Sequence, residues 1–149
     1  MQKVEDVKTA SVLRLLVVLL IFTVLLFTIL SKSQVILRIN NSRYYLNIAS
    51  SNEQLARGLS GVENIPKNEG LLFVLPEPSK ACFWMKQMNF NLDIIWLNGQ
   101  KKVVYLEKNL SPKSYPKTYC SNQNSKYVIE MNSGFIGSKN IYLGEKLNF

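Results

Sequence analysis

The chain has 149 residues, a formal net charge of +8, no histidine and two cysteines. This length allows one ordinary domain plus a short extra segment. The missing histidine removes the commonest general base and a leading transition-metal ligand, and two distant cysteines do not make a four-ligand zinc site, so no metal and no cofactor are expected. Basic residues are dispersed, with no block longer than Lys101-Lys102 and no recognisable nucleic-acid motif, so the charge suits anionic surfaces and no nucleic-acid partner is expected.

Residues 1–11 form a polar tail. Residues 15–30 read LLVVLLIFTVLLFTIL, apolar except for two threonines. Extended to residues 12–30, the run is long enough for a transmembrane helix acting as a signal anchor, with an insertion free energy of about −4 to −8 kcal/mol. Arg14, near one end, can reach the interface with its charged head. Cleavage as a signal peptide is the alternative, because Ser31 and Ser33 are small residues two apart. Lys3, Lys8 and Arg14 precede the run, and Lys32, Arg38 and Arg43 follow it, so basic residues do not decide the orientation. The short tail before the run and the whole domain after it favour a single-pass protein with its C-terminal domain outside the cytoplasm. The lipid bilayer is then a partner through residues 12–30.

Residues 31–42 read as a linker with a possible first strand, Gln34–Ile39, and a turn at Asn40-Asn41-Ser42 before a strand over Arg43–Ile48. Ser51 and Gln54 have capping-box spacing and open a helix expected to run through Leu59 and stop near Gly61. Pro66–Gly70 is a loop, and Leu71–Leu75 a strand ended by Pro76-Glu77-Pro78. Ala81–Met88 reads as a strand. Leu92–Leu97 and Gln100–Glu107 flank Asn98-Gly99, a pair suited to a type I′ hairpin. Asn109–Asn124 is a polar loop, Tyr127–Met131 a strand, Asn132 a candidate cap for a helix near Gly134–Ser138, and Ile141–Phe149 a candidate last strand. Many short strands and one or two short helices predict a mostly β domain, a compact β-sandwich or barrel-like fold, preceded by the transmembrane helix.

Four charged residues stand out. Asp93 interrupts a strand that is apolar on both faces, and Glu130 shares a strand face with Val128. Buried carboxylates need partners, and Arg57 and Lys86 are candidates. Two carboxylates in one pocket would suit acid and base chemistry on a glycan; the structural alternative has them accepting backbone N–H bonds. Trp84 and Trp96 are candidates for stacking on a sugar or for the core. Cys82 and Cys120 are expected to form a disulfide if the domain is exported, closing a loop of roughly 38 residues; the alternative is two free thiols.

The order of Ala56-Arg57-Gly58-Leu59, Glu69-Gly70-Leu71-Leu72-Phe73, Phe83-Trp84-Met85-Lys86, Leu92-Asp93-Ile94 and Tyr127–Gly134 resembles the domain of unknown function 192 family over residues 43–149. The resemblance implies a compact, mostly β domain, often exported, with no established activity. Arg57, Trp84, Lys86, Asp93, Glu130 and Asn132 fall on the family's recurrent polar and aromatic positions. Ser60 and Leu71 stand where the family usually has Met, Asn91 where it has Pro, and Ser133 where it has Ala. The functional expectation is a membrane-tethered binding or accessory module at the cell envelope, with a small-molecule, glycan or protein partner. A glycan hydrolase using Asp93 and Glu130 is the enzymatic alternative, and an interaction domain with a broad apolar patch is a third.

Overall fold

The computed structural model describes residues 13–23 and 33–149. They belong to two compact units, the second being Ser33–Phe149. In the first, residues 13–23 are helical (α1), and Leu13 and Leu15 through Phe22 are all exposed. Among the described residues no helix is long and apolar enough to cross a membrane. The rest of the 12–30 segment expected to span a bilayer, and the 1–11 tail, lie outside the described residues.

The second unit contains β1 (Gln34–Ile39), β2 (Ser42–Ala49), α2 (Asn52–Arg57), β3 (Glu69–Ser79), β4 (Cys82–Trp84), β5 (Leu92–Leu97), β6 (Val103–Leu110), β7 (Thr118–Cys120), β8 (Ser125–Asn132) and α3 (Phe135–Lys139). Six strands form one sheet in the order β1-β2-β3-β8-β5-β6, and β4 and β7 form a separate ribbon. All sheet neighbours are antiparallel except β2 and β3, whose parallel pairing follows from the α2 crossover between them. The fold is mostly β, as expected, but the sheet is open and its second layer is a two-stranded ribbon, so neither a closed barrel nor a full sandwich forms. The C-terminal segment bridges to both outer regions of the sheet, through Arg38–Asn148 and Lys102–Lys146. Gln34–Ile39, the possible first strand of the 31–42 segment, forms and pairs along its whole length with β2.

Strand β5 explains the layering. All six of its residues are buried, because alternate side chains enter two different cores. Ile95 and Leu97 join Leu72, Ile129, Met131 and Ile136 on one face, which α3 and the C-terminal segment cover. Leu92, Ile94 and Trp96 join Phe73, Met85, Met88 and Val128 on the other, beneath the β4–β7 ribbon and the α2 exit. Burial of each such large side chain contributes about 1.5–3 kcal/mol.

The Ser51 capping box forms: Ser51 Oγ accepts from Gln54 N, and Gln54 Oε1 accepts from Ser51 N. The helix ends at Arg57, short of Leu59, because Gly58 has a φ of 53° and turns the chain away. Only Cys82–Trp84 of the expected 81–88 strand pairs; the chain then turns, with Gln87 at positive φ. The 98–102 hairpin is not type I′. Lys101, not Asn98 or Gly99, has positive φ, and Asn98 Oδ1 accepts from the amides of Gln100 and Lys102, giving a three-residue loop with a left-handed residue at its end. Strand β3 continues past Pro76 and Pro78 to Ser79 across a register shift. The expected 109–124 loop contains a 3-10 turn (Pro112–Ser114) and β7. The N-cap of α3 is Gly134, not Asn132, which remains in β8. Residues 141–149 make isolated bridges and no named strand.

Candidate functional site

Glu130 lies on β8 opposite Ile94 of β5 and Leu71 of β3, so its side chain shares a face with Val128 and the Phe73–Trp96 core. Its neighbours in sequence, Ile129 and Met131, enter the other core. Glu130 is 4% exposed, and its Oε2 atom is buried with no hydrogen-bond partner among the described residues. Burial pushes its pKa up to about 8. The carboxyl is therefore mainly neutral at pH 7, a form that can both donate and accept a hydrogen bond.

This carboxyl faces a cavity of about 470 Å³, a size within the range of small-molecule sites. Gly58 forms part of its wall. A Cβ there would stand 3.1 Å from Phe73 Cζ and 3.7 Å from Glu130 Oε2, and the positive φ would strain any other residue. Phe73, Leu75, Phe83 and Met88 supply apolar surface, while Arg57, exposed at the last turn of α2, and half-exposed Trp84 complete the rim. Phe83 packs edge-on against both Phe73 and Trp96 at centroid distances of 4.8 and 5.7 Å. Trp84 meets Tyr115 edge-on, and the Lys86 ammonium lies 5.7 Å from its ring centroid. The Lys86 carbonyl accepts from Ser60 Oγ, which ties the 85–90 turn to the α2 exit. Cys82 and Cys120 face each other across the β4–β7 ribbon and are joined in a disulfide, their Cα atoms 4.0 Å apart, with Cys82 on the cavity wall.

Arg57, Trp84 and Glu130 thus share one cavity, with Lys86 beside Trp84. Asp93 and Asn132 are elsewhere. Asp93 pairs in register with Met131, not Glu130, and points to the opposite face of the sheet. Its Oδ1 and Oδ2 accept from the amides of Asn109 and Ile136, each at 2.8 Å. These two bonds fasten β6 and the first turn of α3 to the central strand. Among the described residues Asp93 makes no ion pair with Arg57 or Lys86, which corrects the expected charge cluster. Carboxylates on opposite faces of a sheet cannot flank one glycosidic bond, so the two-carboxylate hydrolase is withdrawn. Asn132 donates through Nδ2 to the carbonyls of Ile65 and Pro66, bracing the approach to β3. Trp96 is fully buried and its indole N–H donates to the Ala81 carbonyl, so it is a core residue.

Sequence patterning missed Gly58, Phe73, Phe83 and Met88 as cavity residues. The face shared by Glu130 and Val128 was a usable signal for one wall; the ribbon that forms another wall has no local signal. Among the described residues no group of three or more His, Cys, Asp or Glu side chains is placed to hold a metal.

Two solved structures share the fold. A protein of unknown function from Novosphingobium aromaticivorans aligns with a TM-score of 0.70 and 23% identity over 79% of this chain and 85% of its own. A protein from Sinorhizobium meliloti, described as a candidate transcription regulator, aligns with a TM-score of 0.71 and 22% identity over 79% of this chain and 93% of its own. A search of the curated proteins finds no match. The model of the domain of unknown function 192 family, described as uncharacterized ACR, matches residues 35–149, nearly all of the β-rich unit, and the chain belongs to that family.

Proposed function

We propose that this protein is a membrane-held binding module whose Glu130 cavity takes a small, partly apolar ligand. The observation that carries this reading is the Glu130 carboxyl, buried at an apolar cavity with an unpartnered oxygen. A buried polar group without a partner costs about 1–3 kcal/mol, and a ligand that supplies the missing hydrogen bond recovers part of that cost. The apolar walls add the burial term, while Arg57 and Trp84 give the rim polar and aromatic contacts. Among the described residues no nucleophile–base pair accompanies Glu130 in the cavity, which favours binding over catalysis. Two-dimensional NMR of the full-length chain in nanodiscs, titrated with 3-phenylpropan-1-ol, tests the reading. Shifts concentrated at Gly58, Phe83 and the Trp84 indole support it. Absence of binding, or shifts scattered over the surface, rejects it.

The membrane part of the proposal rests on the apolar run at 15–30 and on the exposed Leu, Val, Ile and Phe side chains all around α1, an arrangement that calls for apolar surroundings. The Cys82–Cys120 disulfide supports placing the domain on the oxidising side of that membrane. The full-length chain should stay with membranes through a carbonate wash, and intact cells should leave the domain open to added protease. Release of the chain by the wash, or protection of the domain, contradicts these two parts respectively.

A further inference from the structure

We propose that the Glu130 cavity selects an amphipathic carboxylate, its apolar body against Phe73, Phe83 and Met88 and its carboxylate shared between Glu130 and Arg57. This inference rests on the reading of the cavity as a binding site and names the class of ligand. Its starting point is that, among the described residues, Arg57 and Glu130 are the only ionisable side chains on the cavity wall and are not paired with each other.

The surroundings of Glu130 determine what it can offer. Strand β3 brings Leu71 and Phe73 against it, β5 brings Ile94, and the α2 exit brings Gly58, all without charge. The carboxyl consequently keeps its proton at neutral pH and presents an O–H donor. A ligand carboxylate accepts that hydrogen bond in a charge-assisted contact, and the Arg57 guanidinium supplies the countercharge at the rim. One fixed cation and one neutral donor match a monoanion. An amine would have to ionise Glu130 inside an apolar cavity and also approach Arg57, and the net charge of +8 disfavours its encounter while favouring that of an anion. The aromatic and Met walls accept a ring or short chain.

The test compares three probes of one shape, 3-phenylpropionate, 3-phenylpropan-1-ol and 3-phenylpropan-1-amine, by calorimetry on the full-length chain in nanodiscs, with empty nanodiscs as blank. At about pH 6.5 the carboxylate should bind ~10-fold or more tighter than the alcohol, and the amine weakest. Because the bound form needs the Glu130 proton, carboxylate affinity should fall about 30-fold between about pH 6.5 and about pH 9.5, through the Glu130 pKa of about 8. Glu130→Gln keeps an N–H donor and should retain binding while flattening that pH dependence. Arg57→Gln, on an exposed helix end, should weaken carboxylate binding far more than alcohol binding and so remove the preference for the carboxylate. Alcohol and carboxylate binding equally well would overturn the carboxylate inference and leave the binding cavity standing. A tightest-binding amine, or an affinity that rises with pH, would do the same. Failure of all three probes would overturn both.

Discussion

Replacing Glu130 by Gln should make the domain more stable than the wild type, by an amount that grows as the solution becomes more alkaline. In the unfolded chain the carboxyl loses its proton near 4.5, whereas in the fold it keeps the proton to about 8. A group whose folded pKa is raised contributes its full stability below the unfolded pKa and loses it as pH rises to the folded one. The window is therefore about 4.5 to 8, and at about 1.4 kcal/mol per pH decade the loss across it reaches about 5 kcal/mol. Gln cannot ionise, so the variant lacks this slope. Below pH 4.5 both side chains are neutral and the two proteins should agree within about 1 kcal/mol. Urea denaturation of the Ser33–Phe149 unit at about pH 5, 7 and 9, followed by tryptophan fluorescence, measures the difference, and subtracting the wild type cancels the other titrating groups. A difference that is constant from pH 5 to pH 9, or that grows toward acid, would refute the burial of an unpartnered carboxyl.

Other substitutions test the frame around the cavity. Asp93→Ala leaves the amides of Asn109 and Ile136 without their acceptors and should destabilise the unit by about 3–5 kcal/mol in the same titration; a loss under about 1 kcal/mol would place Asp93 in contact with solvent. Gly70→Ala would drive a Cβ into Met131 Sδ and place it 2.6 Å from the Glu130 carbonyl oxygen, so β3 and β8 must separate. It should cost about 2 kcal/mol or more, and a neutral effect would contradict the register of that pair. Reducing Cys82–Cys120, which are 38 residues apart, should lower stability by up to about 4 kcal/mol, read as a shift of the urea midpoint; no shift would mean that the ribbon is held by packing alone.

Much of the fold was legible because its signals are local. Ser51 and Gln54 are three residues apart and form the predicted cap, and the apolar character of Leu92–Leu97 on both faces marked the central strand. The place of Glu130 on the face of Val128 was also readable from alternation. What failed was non-local. Asp93 is satisfied by amides 16 and 43 residues away, on segments whose approach depends on the whole sheet. That Asp93 and Glu130 face opposite ways depends on the β5–β8 register, in which Asp93 meets Met131; a shift of one residue would have put them on one face. Asn98-Gly99 suggested a two-residue turn, yet Asn98 used its side chain to cap the loop and moved the left-handed position to Lys101. The cavity itself needs the α2 exit, β3, both strands of the β4–β7 ribbon and β8 together, segments far apart in sequence.

The most direct test of the Glu130 cavity as a ligand site is the carboxyl carbon resonance of Glu130 in the full-length chain, followed by NMR over the range from about pH 4 to about pH 10 with and without saturating 3-phenylpropan-1-ol. In the free protein the resonance should titrate near 8, and the alcohol should move both the resonance and its midpoint by supplying the hydrogen bond that the buried oxygen lacks. A free-protein midpoint near 4.5, or a resonance and midpoint unchanged at saturation, would contradict the account.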